Sequence, residues 1–256
     1  MTRIDRRALF ASGAAAALLA ATGASALPQR GGRLRAALSP ELFERAVAAT
    51  VYDNLTEIAA DGTLRGELAT DWSSDADARV WRFKLREGVT FHDGTPFDAS
   101  AVAHLMWDVE ALDALTVQIT LDAPNPSLPY LLAQPGFEIC GATGTGLYEV
   151  QKLDEGRHFI GTRLADHWKQ GAGWFDSVEF VQFSADHVRG EALRDGLVDV
   201  ADVIALDDYA DPRDFQTLPN AHAPTHIASR SVTVPVTVGK SWPLDNLRMS
   251  ERWWMA

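Results

Sequence analysis

The chain has a single cysteine, Cys140, in 256 residues, so no disulfide can form within it. A lone thiol of this kind is expected to be a buried packing residue rather than a reactive one. Apolar runs are equally scarce: the one candidate, Ala8–Ala21, is too short and too weakly hydrophobic for a secure membrane span. Basic residues are in deficit, 23 Lys and Arg against 35 Asp and Glu, for a net charge of -12. That balance argues against nucleic acid and anionic lipid as partners. No serine sits in a nucleophile elbow and Cys140 has no partner in the sequence, so no catalytic residue is assigned. Beyond the first residues there are no internal repeats or low-complexity tracts.

What is present begins with an address. Arg3, Arg6 and Arg7 form a basic start, Ala8–Ala21 is alanine-rich, and Ala24-Ser25-Ala26 offers small residues for cleavage. Residues 1–26 therefore read as an export signal, and the mature protein is expected in the periplasm. Arg6-Arg7 before Ala8-Leu9-Phe10 resembles a twin-arginine signal, while Asp5 in front of the pair leaves the ordinary secretory route open. No cysteine follows the cleavage site, so a lipid anchor is not expected. Removing the signal takes away a net +2 and leaves about -14. The remaining residues, about 230, make one large domain or two small ones.

Periodicity then gives the elements. Ser39-Pro40-Glu41 opens a helix carrying Leu42, Phe43, Ala46, Val47 and Val51 at helical spacing. Trp81, Phe83 and Leu85 alternate with Arg82 and Lys84 as a half-buried strand, and His92-Asp93-Gly94-Thr95-Pro96 turns the chain. Asp98 is positioned as the N-cap of a helix bearing Ala101, Val102, Leu105 and Met106. Val117, Ile119 and Leu121 alternate again, Leu128, Leu131 and Leu132 make a short apolar helix, and Leu147–Leu153 alternates as a strand. A helix over Asp186–Arg194 closes at Gly196, and Ser231–Val238 reads as an edge strand because of Pro235.

The segment WRFKLREGVTFHDGTPF, Trp81–Phe97, closely resembles the LRDGVKFHDGTPFTAEDV signature of the family 5 solute-binding proteins, the peptide- and nickel-binding subunits of bacterial ABC importers. Further matches follow the family's order. They are VYDNLTEIAADGTLRGELATDW with Trp72 in place, Gly144-Thr145-Gly146-Leu147-Tyr148 against GTGPY, and Arg163–Trp168 against R-N-x-x-Y-W. Phe175–Phe180, Val198-Asp199-Val200 and Pro243–Arg248 continue the series. The resemblance spans about residues 31–256 but only the family's first half, and the abrupt passage from Trp107 to Glu110 reads as an internal deletion. It implies an α/β fold: a type II periplasmic binding protein-like first lobe with its attached subdomain, the second lobe missing, so that 27–256 form a truncated family 5 domain. It further implies a periplasmic binding component of an ABC importer that captures oligopeptides or similar small solutes without chemistry. Its partner would be an inner-membrane permease, and no cofactor is implied.

Each tempting constellation has a plainer explanation. Gly141–Gly146 invites a dinucleotide loop, but a strand follows it rather than a helix, so the glycines are expected to carry a backbone crossover packed against a neighbouring strand. His92-Asp93 lacks further ligands and is expected to be a turn. His222 and His226 have helical ligand spacing, but Pro224 lies between them, and no metal site is assigned. Asp207, Asp208 and Asp211 read as solvated surface. For solute contact the positions to watch are Phe43, Tyr52, Asn54, the turn of Cys140, Gly141 and Thr143, and Trp168, with Trp174 beside it; for each aromatic, core packing is the favoured alternative. The half-length resemblance leaves a reduced protein-binding or accessory module, or a decayed fragment, as alternatives. An exported metal-dependent hydrolase would need His92, His222 or His226 to converge with carboxylates.

Overall fold

The computed structural model describes residues 31–59, 62–169, 172–204, 215–219 and 226–230. The export signal expected at residues 1–26, His222, the acids Asp207, Asp208 and Asp211, the strand expected at Ser231–Val238 and the Pro243–Arg248 motif lie outside the described residues.

The elements run β1 (Arg33–Leu38), α1 (Pro40–Val51), β2 (Thr56–Ile58), β3 (Leu64–Gly66), β4 (Ala69–Ser74), β5 (Val80–Leu85), a 3-10 turn (Ala99–Val102), β6 (Asp108–Asp113) and β7 (Thr116–Thr120). They continue with α2 (Leu128–Leu131), β8 (Tyr148–Asp154), β9 (His158–Arg163), β10 (Ser177–Gln182), α3 (Asp186–Arg194), β11 (Val200–Val203), β12 (Phe215–Pro219) and β13 (His226–Arg230). Two principal sheets result. One is a seven-stranded mixed sheet in the order β12-β13-β11-β1-β10-β9-β8; the other is a four-stranded antiparallel sheet in the order β4-β5-β7-β6. The hairpin of β2 and β3 forms a separate pair.

In the mixed sheet, β1 runs parallel to both β10 and β11, and its alternation decides what covers each face. Leu34, Ala36 and Leu38 meet Leu42, Phe43, Ala46 and Val51 of α1, with Tyr148, Phe159 and Phe180 from the neighbouring strands. Ala37 points the other way, into Ala192 and Leu193 of α3 and Ala201 and Val203 of β11. A helix thus covers both faces at β1, which is the burial that parallel pairing requires. The antiparallel sheet has a more aromatic core. Trp81 pairs with Ile119 and Phe83 with Val117, and Val89, Phe91, Phe97, Leu128 and Leu132 close over them.

Three expectations are corrected. The helix after Asp98 is only the 3-10 turn: Asp98 caps it, with Oδ1 accepting from Ser100 N–H at 2.9 Å, but the chain must enter β6 at Asp108. The helical turn ends at Val102, and Met106 is left 78% exposed. Cys140 is exposed rather than buried, because Ile139 takes the apolar position of that turn. The glycine run is indeed closely packed, but against the end of a helix rather than a strand. A Cβ on Gly144 would stand 1.8 Å from the carbonyl oxygen of Val51, and Gly146 N–H donates to that same oxygen at 2.8 Å.

Candidate functional site

The end of α1 sets out Tyr52, Asp53 and Asn54 just where the glycine crossover and the strand β3 meet it. One face of α1, Leu42, Ala46, Ala49 and Thr50, forms a wall of a pocket of about 100 Å³. Arg45, Tyr52, Asp53, Asn54, Thr56, Glu57, Glu67, Glu138 and Lys169 supply its polar lining.

Its floor is an ion cluster. Lys169 Nζ lies 2.6 Å from Asp53 Oδ1 and also donates to Glu67 Oε1. The side chains of Asp53 and Glu67 are only 2% and 10% exposed, so desolvation counts heavily. The remaining carboxylate oxygens are used as well. Asp53 Oδ2 accepts from Thr145 Oγ at 3.0 Å, and Glu67 Oε2 accepts from Asn54 N–H at 2.8 Å. One ammonium faces two carboxyl groups, and the charge cannot balance. Burial, opposed by Lys169 and reinforced by Asp53 and Glu57, pushes Glu67 up to about 8. Burial works against the charge of Lys169, but Asp53 and Glu67 outweigh it and hold the ammonium above its ordinary range. Lys169 therefore stays charged on Asp53, while Glu67 is the group that takes up a proton.

The segment leading into Lys169 is fixed with equal care. His167 Nδ1 accepts from Lys169 N–H at 3.1 Å, so Nε2 carries the proton and donates to the Thr145 carbonyl at 2.8 Å. Burial lowers the basicity of this ring, which keeps it neutral. Two cations stand over the Trp168 ring, the Arg86 guanidinium 4.7 Å and Lys169 Nζ 5.1 Å from its centroid.

The expected contact residues divide. Tyr52 and Asn54 line the pocket. Asn54 is also a brace, its Nδ2 donating to the carbonyls of Leu132 and Gln134 at 2.8 and 3.0 Å. Phe43 does not reach the pocket lining; its ring is 2% exposed and belongs to the core beneath α1. Cys140 and Gly141 stand on an exposed turn, Gly141 packed on the Phe91 ring. Thr143 Oγ accepts from Asp93 N–H at 3.3 Å. Trp168 is half-buried against the antiparallel core, with Nε1 unpartnered, and Trp174 is half-buried outside the pocket lining. Partial desolvation and Glu138 hold the Cys140 thiol above its ordinary range, which suppresses the thiolate. The His92-Asp93 turn forms as expected: Asp93 Oδ1 accepts from Thr95 N–H at 2.9 Å, and His92 Nε2 contacts the Gly146 carbonyl at 2.7 Å. Among the described residues no three His, Cys, Asp or Glu side chains converge as a metal site. Sequence reasoning missed Asp53, Glu67 and Lys169. The available signal was that Asp53 and Glu67 both fall in the VYDNL…RGELATDW segment.

Comparison with known proteins places these residues in context. The profile of the bacterial extracellular solute-binding proteins, family 5 middle region, matches residues 63–109 and 105–248. The glutathione-binding protein GsiB of Escherichia coli O1:K1 is 26% identical over an alignment covering 97% of this chain and 55% of that protein. Among solved structures, the agropinic acid complex of the binding protein AgaA from A. tumefaciens R10 superposes with a TM-score of 0.66 at 25% identity, over 73% of this chain and 48% of that one. A nickel ABC transporter protein from Bacillus halodurans gives 0.63 at 23% identity, over 73% and 46%. The peptide-bound DppA of Helicobacter pylori gives 0.59 at 19%, over 68% and 47%. The chain spans about half the length of these relatives. The last two likenesses concern the fold, a mixed α/β periplasmic binding protein architecture.

Proposed function

The chain belongs to the family 5 bacterial extracellular solute-binding proteins, and we propose that it serves as the periplasmic solute-binding component of an ABC importer, capturing a small peptide-like solute without covalent chemistry. The observation that carries this reading is the family match across residues 63–248, the stretch that contributes Glu67, Glu138 and Lys169 to the pocket. The names of its relatives, binders of glutathione, a peptide and an opine acid, support a small polar organic solute over a macromolecule. The pocket's chemistry supports binding over catalysis. Its Asp53, Glu67 and Lys169 are committed to one another, which preorganises a polar surface. Tyr52 and Asn54 are the nearest contact residues, the Cys140–Thr143 turn and Trp168 form the surroundings, and Phe43 supports α1 from below. Delivery would be to an inner-membrane permease, after export directed by residues 1–26.

The test is native mass spectrometry on the chain purified from the periplasm without refolding. A small molecule that co-purifies and is released on denaturation is the expected result. An empty, folded protein that takes up no solute from periplasmic extract overturns the reading and leaves an accessory role.

A further inference from the structure

His104 is bonded unlike the other described histidines that use both ring nitrogens. His167 accepts at Nδ1 from Lys169 N–H and donates from Nε2 to the Thr145 carbonyl. His158 accepts at Nδ1 from Lys152 and donates from Nε2 to Glu179. A neutral ring with one proton satisfies each of these. His104 has a carbonyl on both sides, with Nδ1 2.8 Å from the Ala101 oxygen and Nε2 3.1 Å from the Glu138 oxygen. Carbonyl oxygens only accept, so the two bonds coexist only when both nitrogens carry a proton. Ala101 belongs to the 3-10 turn, whereas Glu138 lies in residues 136–140, beyond α2. That second segment is a wall of the pocket. Pro135 and Glu138 line it, Ile139 N–H donates to the Asp53 carbonyl at 2.8 Å, and Phe137 stacks on Trp107 with ring centroids 5.6 Å apart.

We propose that His104 is a proton-operated clip on the pocket wall: the imidazolium holds residues 136–140 against the 3-10 turn, and the neutral ring releases one of its two carbonyls. The titratable groups on the surrounding elements do not take over this role. Asp98 accepts from Ser100 N–H, Asp113 from Leu115 N–H and Glu138 from Gly136 N–H. Asp108 and Glu110 on β6 and the Cys140 thiol complete the set, and β7 carries none. No carboxylate among the described residues pairs with His104. Histidine as a residue type changes charge between about pH 5 and 8, so the clip closes toward acid and opens toward alkali. Its consequence for solute capture rests on the binding reading above: a wall held in place is preorganised, and capture tightens toward acid.

Cys140 is a built-in reporter. It is the single cysteine of the chain, it is exposed, and its Sγ lies 3.5 Å from the same Glu138 carbonyl. The rate at which 4,4′-dithiodipyridine labels it in the whole chain is compared between the native protein and His104→Gln at about pH 5.5 and about pH 8. Taking the ratio of the two proteins at each pH cancels the ionisation of the thiol. The variant is expected to label about threefold faster or more at the acid pH, the worth of one hydrogen bond, and at the native rate at the alkaline pH. A ratio that is the same at both pH values overturns the clip. So does slower labelling of the variant in acid, which would mean that the histidine acts only through its charge on the thiolate. Melting curves establish that the variant is folded. Independently of any variant, nitrogen-15 spectra of the native histidine rings must show both His104 nitrogens protonated in acid, and a neutral ring there overturns the proposal. None of these outcomes touches the solute-binding reading, which native mass spectrometry decides.

Discussion

Two buried ion clusters, one at each side of the β1–α1 unit, each set a single cation against two carboxylates. Arg189, 3% exposed, donates from Nη1 to the carbonyls of Phe183 and Ser184 at 2.6 and 3.1 Å, and from Nε to the Asp202 carbonyl at 2.7 Å. It also pairs with Asp202 Oδ1 at 3.0 Å and Asp186 Oδ1 at 3.2 Å. Its carboxylates cap backbone in turn, Asp202 receiving Ser39 N–H and Asp186 receiving Ile204 N–H, both at 2.8 Å. The planar guanidinium spreads its charge over backbone oxygens, and the cluster ties β11 to α1 and α3. None of its residues lines the pocket. The ammonium of Lys169 has fewer donors and no such fork, so its charge stays concentrated on Asp53 and Glu67 beside the pocket. The same stoichiometry thus yields a structural tie in one place and an electrostatically unbalanced floor in the other.

Removing the cations sharpens that difference. Arg189→Ala leaves Asp202 buried without its counter-charge and strips several carbonyls of a donor, so the loss is expected to be about 3–5 kcal/mol in urea denaturation. A change within about 1 kcal/mol would show that the tie is dispensable. Lys169→Met is expected to cost somewhat less, about 2–4 kcal/mol at pH 8, and less again at pH 5, where Glu67 accepts a proton. Equal losses at the two pH values would contradict the charge imbalance described for this floor.

The smallest expected effect belongs to Glu67→Gln. Glu67 moves from its ordinary 4.5 to about 8 on folding, so between those values the folded chain holds a proton that the unfolded chain has released. The stability from this source is complete below pH 4.5 and is lost as pH rises through about 8. Denaturation midpoints of the native chain should therefore fall across that window, and Glu67→Gln should flatten the slope. A slope unchanged in the variant would assign the pH dependence to another group.

Local pattern was a sound guide wherever one face of an element is buried. The alternation of Trp81, Phe83 and Leu85 corresponds to β5, and the spacing of Leu42, Phe43, Ala46 and Val51 to α1, because burial imposes the period. It failed at Asp98–Met106, where a good cap and apolar residues were overruled by the strand that follows. It failed also at Cys140, whose exposure depends on the neighbouring Ile139 filling the core. Of the pocket, Tyr52 and Asn54 could be read from the family-like segment, whereas Phe43, on the same helix, turns into the core.

The sequence by itself determined the family, the principal strands and helices, and the acidic balance, since each rests on residue order or local periodicity. Only the tertiary structure decided that Asp53, Glu67 and Lys169 form one charged floor. Bond partners separated by 102 and 116 positions leave no trace in periodicity. Whether such charges become a structural tie or a site depends on how far desolvation is met by neighbouring dipoles, a property of packing that the order of residues does not display.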